Sequence, residues 1–201
     1  MHPNPIFHTR SDAANLAFAR EVSFGILALS AEGLPLISHL PFLLNEAGTE
    51  VEVHIVRSNP IARALRDGPL PAKLIVSGPD GYVSPDWYGL EDQVPTWNYV
   101  AVHLSGTIEL LDPAEMPGVL TRLSDRFETR LRPKTPWVMD KMTEGVAERM
   151  MRQILPARMQ VTGVDGTWKL SQNKPESARL GAAEGVSDPA LAALMRSPPE
   201  G

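Results

Sequence analysis

Val94-Pro95-Thr96-Trp97-Asn98-Tyr99 runs into Val100-Ala101-Val102-His103-Leu104-Ser105-Gly106-Thr107-Ile108-Glu109-Leu110, and the reading of this stretch decides the fold class. Over 99–110, Val100, Val102, Leu104, Ile108 and Leu110 alternate with Ala101, His103, Ser105, Thr107 and Glu109, a period of two that predicts a strand with one face in a core. Ahead of it, a proline, two aromatics and small polar side chains are packed into six residues. That composition reads as a loop offering Trp97 as a stacking plate, with Thr96 and Asn98 as hydrogen-bonding groups, suited to a flat heteroaromatic ligand. The alternative is a Trp97 that lids the core and an Asn98 that satisfies a turn.

Outward from this strand the pattern repeats in shorter pieces. Strands are predicted at 23–29, 34–44, 51–56 and 73–77, with Glu32-Gly33 and Ala47-Gly48 as hairpin breakers. Ser11-Asp12 can cap a helix over 13–20. Asp112-Pro113-Ala114-Glu115 starts another, whose Met116, Val119, Leu120, Leu123 and Phe127 share a face. A further helix is expected over 144–155, with Val146, Met150 and Ile154 inward and Pro156 as its stop. A last hairpin pairs 158–162 with 167–171 around Asp165-Gly166. Beyond a domain spanning 1–175, the Ala-, Gly-, Ser-, Glu- and Pro-rich segment 176–201 reads as a loosely held tail with one short helix at Asp188-Pro189-Ala190-Leu191. Tight turns join the strands where a doubly wound sheet would have helical crossovers. The class is therefore mainly β with peripheral helices (α+β), built as a small antiparallel barrel.

The bulk composition bounds the chemistry. The 201 residues include 19 Lys and Arg against 24 Asp and Glu, for a net charge of −5, with no basic block to track a phosphate backbone. Direct DNA binding is accordingly doubtful. There is no cysteine, which removes disulfides, thiolate zinc sites and thiol catalysis. No apolar run reaches the roughly 20 residues of a membrane span, and Met1-His2-Pro3-Asn4-Pro5 has no secretory pattern, so a cytoplasmic location is expected. His39, His54 and His103 lack a metal-ligand spacing, and no metal is assigned.

Four further segments could carry chemistry. His54-Ile55-Val56-Arg57-Ser58-Asn59-Pro60 takes a strand straight into a helix start, with Asn59 as N-cap and Pro60 as first helical residue. Helix-start amides beside Arg57 and the Ser58 hydroxyl suit a phosphate monoester; the alternative is a surface arginine near an ordinary cap. Ser38-His39 sets a hydroxyl and an imidazole in an otherwise apolar strand. Trp168-Lys169-Leu170-Ser171-Gln172-Asn173-Lys174 turns Lys169, Gln172 and Asn173 toward a polar ligand or a subunit boundary, or else Lys169 simply protects an edge strand. Finally, Tyr82, Trp87 and Tyr88 lie in a turn-rich segment at 78–88 and call for burial, by folding back on the core or by a partner.

Taken in order, Ser38-His39-Leu40-Pro41, His54 with Arg57, Asn59 and Pro60, Gly78-Pro79 with Tyr82-Val83-Ser84-Pro85 and Trp87-Tyr88, Val94 to Tyr99 with Ala101-Val102-His103, and Lys169-Leu170-Ser171-Gln172-Asn173 resemble the PaiB-type family of FMN-binding negative transcriptional regulators. The resemblance runs from about residue 3, with Pro3 and Phe7 in the arm, to residue 180. Asp80-Gly81 stands where the family usually has His-Ala, Val56 where it usually has Ala, and Pro156-Ala157 where it usually has a glycine-aromatic pair. The resemblance implies the flavin-binding split β-barrel also seen in pyridoxamine-phosphate oxidases and flavin reductases, and a homodimer holding FMN in a cleft shared by two subunits. It further implies Arg57 and Ser58 at the phosphate, within the His54 to Asn59 segment, and Ser38 and His39 near the phosphate or ribityl chain. Thr96, Trp97 and Asn98 would lie at the isoalloxazine, with Lys169, Gln172 and Asn173 as additional contacts. Three functions remain open: an FMN-sensing regulator, a flavin-dependent oxidoreductase on a small substrate, and a flavin-free dimeric scaffold.

Overall fold

The computed structural model of the chain describes residues 1–30 and 33–199. Of the breaker at Glu32-Gly33, Glu32 lies outside the described residues, and Gly33 has φ +87. Two compact units divide the chain, one made of Met1–Ala19, Val76–His103 and Val164–Gly201, the other of Arg20–Ile75 and Leu104–Gly163.

The second unit is built from hairpins. β1 (Phe24–Leu29) pairs antiparallel with β2 (Leu36–Leu44), in register from Phe24↔Pro41 to Leu29↔Leu36. β2 then pairs with β3 (Glu50–Val56), and the turn between them is closed by the Asn45 side chain, whose Oδ1 accepts from the Thr49 and Glu50 amides at 2.9 and 3.2 Å. Gly48 sits there at φ +74, the left-handed conformation that makes Ala47-Gly48 a breaker. α2 (Pro60–Ala64) follows β3, and β4 (Leu70–Val83) returns to pair with β1 from Ile26↔Ile75 to Leu29↔Ala72. With β5 (Thr96–Leu110) and β6 (Ile154–Lys169), the order β1-β2-β3-β6-β5-β4 closes a six-stranded barrel. Phe42, Leu27, Ile55, Leu74, Leu104 and Met159 are among its fully buried side chains; each stabilises the unit by about 1.5–3 kcal/mol. α3 (Met116–Thr129) buries Met116, Val119 and Leu123, after a 3-10 turn whose Asp112 cap accepts from the Ala114 amide at 2.8 Å.

In the first unit, the other halves of β4, β5 and β6 carry α1 (Asp12–Val22), α5 (Glu176–Gly185) and α6 (Pro189–Arg196). Their common core joins Val83, Tyr88, Val100, Trp168 and Leu170 to Ala178, Ala182, Leu191 and Met195 of the two last helices. A segment whose composition reads as a loose tail thus forms two helices, and its alanines are the part that packs. The strand alternation expected for β5 is observed, with Val100, Val102, Leu104 and Ile108 buried.

Three local expectations are corrected. β5 starts at Thr96, so Thr96, Trp97 and Asn98 are strand residues, and Asn98 continues the buried face. The helix expected over 144–155 is α4 (Val146–Met151) alone; Met150 is 57% exposed, and Ile154, Leu155 and Pro156 open β6 by pairing with Val56, Ile55 and His54. β6 continues through Asp165-Gly166 without a hairpin. Gly166 is needed there because a Cβ would lie 2.1 Å from Asn15 Oδ1, so the glycine marks a close approach inside a strand.

Candidate functional site

In the second unit the candidate residues gather where β3 hands over to α2. The Arg57 amide donates to the Gln153 carbonyl at 2.8 Å and its Nε to the Arg152 carbonyl at 2.9 Å, so the two residues ahead of β6 fix the guanidinium plane. Its terminal nitrogens have no hydrogen-bond partner among the described residues, and none of the ion pairs involves it. Asn59 Oδ1 accepts from the Ile61 amide at 2.9 Å while its Nδ2 donates to Ser38 Oγ at 3.3 Å. This cap joins two of the segments singled out in the sequence. It also corrects one expectation: Pro60 has no N–H, the Ile61 amide is taken by Asn59, and α2 has five residues, so the helix start offers few free amides. The donors of this corner are side chains, Arg57 with the Ser58 and Ser38 hydroxyls. Arg63, which sequence reasoning passed over, donates to the Ser58 carbonyl at 2.8 Å and steadies that turn.

The two histidines of this unit diverge. His39 is exposed on the outward face of β2. His54 lines a different hollow with Pro41 and with Leu120, Leu123 and Phe127 of α3. Burial lowers its pKa from 6.5, and its Nδ1 is a buried atom with no partner, so the ring is held neutral.

In the first unit, residues from β5, the end of β6 and the N-terminal arm surround a cavity of about 220 Å3. Lys169 Nζ donates to Thr96 Oγ1 and lies 6.0 Å from the Phe7 ring centroid, and burial lowers its pKa. Lys174 bonds Gln93 Oε1 and sits 5.3 Å from the Tyr88 ring centroid. Among the described residues two ammonium groups and no carboxylate line this space. Below it a buried chain of hydrogen bonds holds the floor: Asn98 Nδ2 donates to Ser171 Oγ at 2.8 Å, and Tyr88 Oη lies 3.0 Å from the same oxygen. Ser171 takes φ +64, a left-handed conformation rare for a residue with a side chain.

Thr96 and Lys169, named from distant segments, are thereby brought together, and Asn173 lies at the same cavity. Asn98 is fully buried and acts as floor, and Gln172 folds back onto the Leu170 amide at 2.7 Å and onto the Trp168 carbonyl. Trp97 points outward at 56% exposure, with Tyr82 at 47% meeting it edge to face at 6.4 Å. Tyr88, Ser171 and Lys174 were missed as site residues. The run from Lys169 to Lys174 was the available signal, since alternate residues after a strand end can share one side.

Comparison with known proteins bears on the family and the fold. Residues 1–163 match the family described as "Putative FMN-binding domain". Protease synthase and sporulation protein PAI 2 of Bacillus subtilis is 30% identical over 169 residues, covering 83% of this chain and 80% of the relative. Among solved structures, the FAD and heme binding protein from Mycobacterium smegmatis superposes with a TM-score of 0.55 at 20% identity, over 88% of this chain and 78% of that one. The flavocytochrome Anf3 from Azotobacter vinelandii does so with a TM-score of 0.52 at 17% identity, over 79% and 68%. At these identities the structural likeness speaks to the fold, an antiparallel split-barrel-like sheet with helices. Among the described residues no helix is long and apolar enough to cross a membrane.

Proposed function

This chain belongs to the PaiB-type family of FMN-binding proteins, with FMN as its cofactor, and on that premise we propose that it is a flavin-dependent regulator whose effect on transcription is indirect. The observation that carries the reading is Arg57, a guanidinium with its plane fixed by Arg152 and its two terminal amines unused among the described residues. Such a fork matches two phosphate oxygens, and the Ser58 and Ser38 hydroxyls supply neutral donors beside it. The residues therefore fit the phosphate end of the cofactor. In the first unit, exposed Trp97 and Tyr82 offer faces for a flat ring, while Thr96, Lys169 and Asn173 offer polar contacts at the cavity on the opposite face of β5. Asn98 and Gln172 serve by holding the β5 and β6 ends that present them, and His39 and His54, on the strands that carry Ser38 and lead into Arg57, are kept as further candidate contacts although His54 lines the separate hollow under α3. Bound FMN supplies a redox centre; the chain's own part is to bind it and orient it.

The active species is proposed to be a cytoplasmic homodimer, supported by aromatic side chains left in water on one chain. The regulatory side of the reading is supported by the name of the Bacillus relative, which links it to protease synthesis and sporulation. Indirect action follows from charge. Strong specific DNA binding neutralises several phosphates with clustered basic residues, and here 19 basic side chains are spread among 24 acidic ones. In the presence of FMN the protein should oxidise NAD(P)H, and it should leave no DNase footprint at physiological salt against excess competitor DNA. A footprint that persists under those conditions restores direct repression.

A further inference from the structure

The second unit contains a larger cavity that plays no part in the reading above. It measures about 430 Å3 and is walled by α3, by the segment around Trp137 to Met142, and by α4 with the start of β6. Four of the chain's eight methionines, Met139, Met142, Met150 and Met151, line it together with Trp137. None of the residues of α4 is buried, and Trp137, Val56 and Met150 keep 37%, 53% and 57% of their surface exposed. An apolar stripe that would ordinarily close onto a core here faces a space. Its volume is that of a small-molecule site, where apolar walls carry a small number of polar groups.

The chemistry of the wall selects the occupant. Among the described residues no Asp, Glu, Lys or Arg lines the cavity, so none of them compensates a charge there. The polar side chains are Ser124 and Gln153, and Gln153 is held by its backbone, its amide on the Met150 carbonyl at 3.0 Å and its carbonyl accepting from Arg57 at 2.8 Å. A carboxamide so placed can both donate and accept one hydrogen bond. Methionine side chains adapt their shape and make favourable contacts with aromatic rings. We propose that this chamber is a binding site for a neutral, largely aromatic small molecule carrying one carbonyl or hydroxyl group. It shares Met151 and Ile154 with the hollow at Arg57, so the two adjoin without sharing the Arg57 side chain, and the inference requires that FMN lie outside the chamber.

The probe is N-phenyl-1-naphthylamine, a neutral fluorescent aromatic amine, titrated into the full chain with and without FMN. One probe per chain should bind saturably, and Trp137→Phe should remove most of the tryptophan-to-probe energy transfer while leaving saturation intact. Ala147→Phe, which fills the chamber, should weaken the probe by about tenfold or more and leave the FMN titration unchanged. Should Ala147→Phe melt early, Met142→Asp repeats the test from the rim by adding an uncompensated charge. Absence of saturable binding, as when a second copy of the chain covers the surface, overturns the proposal. So does binding that both filled and charged variants retain, or stoichiometric displacement of the probe by FMN, which would make the chamber part of the flavin site.

Discussion

His54 is the residue whose ionisation should be visible in the stability of the molecule. Burial holds its folded pKa below the ordinary 6.5, so under acid conditions the unfolded chain binds the proton first. The contribution is fully present above pH 6.5 and is lost as pH falls through the lowered folded value. Glu52 also titrates on the acid side: burial pushes its carboxyl up, but hydrogen bonds from Arg122 and Arg158 and their charges outweigh it and bring it below 4.5. The two are separable, since Glu52 acts only below 4.5 and His54 begins at 6.5. Urea midpoints measured between those pH values should fall with acidification in the wild type and stay flatter in His54→Gln; parallel slopes would mean the ring is not held neutral. At this scale sequence reading singled out Arg57, Ser58 and Asn59 because a strand, a cap and a proline follow in order, and Ser38 because a hydroxyl stands in an otherwise apolar strand. It could not see that Asn98 and Gln172 turn inward, because an amide serves a ligand or a neighbouring backbone equally well, and only the tertiary partner decides.

Among the elements, β6 shows most plainly what a local pattern leaves undecided. Asp165-Gly166 has the composition of a hairpin turn, yet the strand runs on, and Gly166 is there to admit Asn15, whose Oδ1 also accepts from Trp168 Nε1 at 2.8 Å. Gly166→Ala should cost about 1–3 kcal/mol as overpacking. Because the clash is with a side chain, Asn15→Ala in the same molecule should recover part of that loss, giving a favourable coupling in the double-mutant cycle. A turn residue at positive φ would show no such rescue, and additive losses would contradict the continuous strand. α5 and α6 were misjudged for a related reason. Their Ala and Gly content reads as a loosely held tail, but small residues are what the packing requires: a Cβ on Gly181 would lie 2.6 Å from the Trp87 carbonyl, and one on Gly185 2.3 Å from the Trp87 ring. The strands and the barrel class were legible because alternation and tight turns are local signals; the ends of β4, β5 and β6 were not, since length is set by pairing with distant strands.

For the whole molecule, each unit carries part of the set of cofactor contacts read from the sequence. The phosphate-suited corner lies in the second, and the cationic cavity and exposed rings lie in the first. Tyr82 and Trp97, both about half exposed, argue for a partner surface. Light scattering at micromolar concentration should therefore return twice the chain mass; a flavin-loaded monomer would exclude a site shared by two subunits. The central claim is that FMN is recognised through its phosphate by Arg57. It is tested most directly by titrating wild type and Arg57→Ala with FMN and with riboflavin, following flavin fluorescence at fixed ionic strength. Wild type should prefer FMN, and the substitution should weaken FMN by about one to two orders of magnitude, as expected for loss of a charge-assisted pair worth ~1.5–3 kcal/mol, while riboflavin changes little. Equal losses for the two ligands, or no loss for either, would place the phosphate elsewhere and contradict the account.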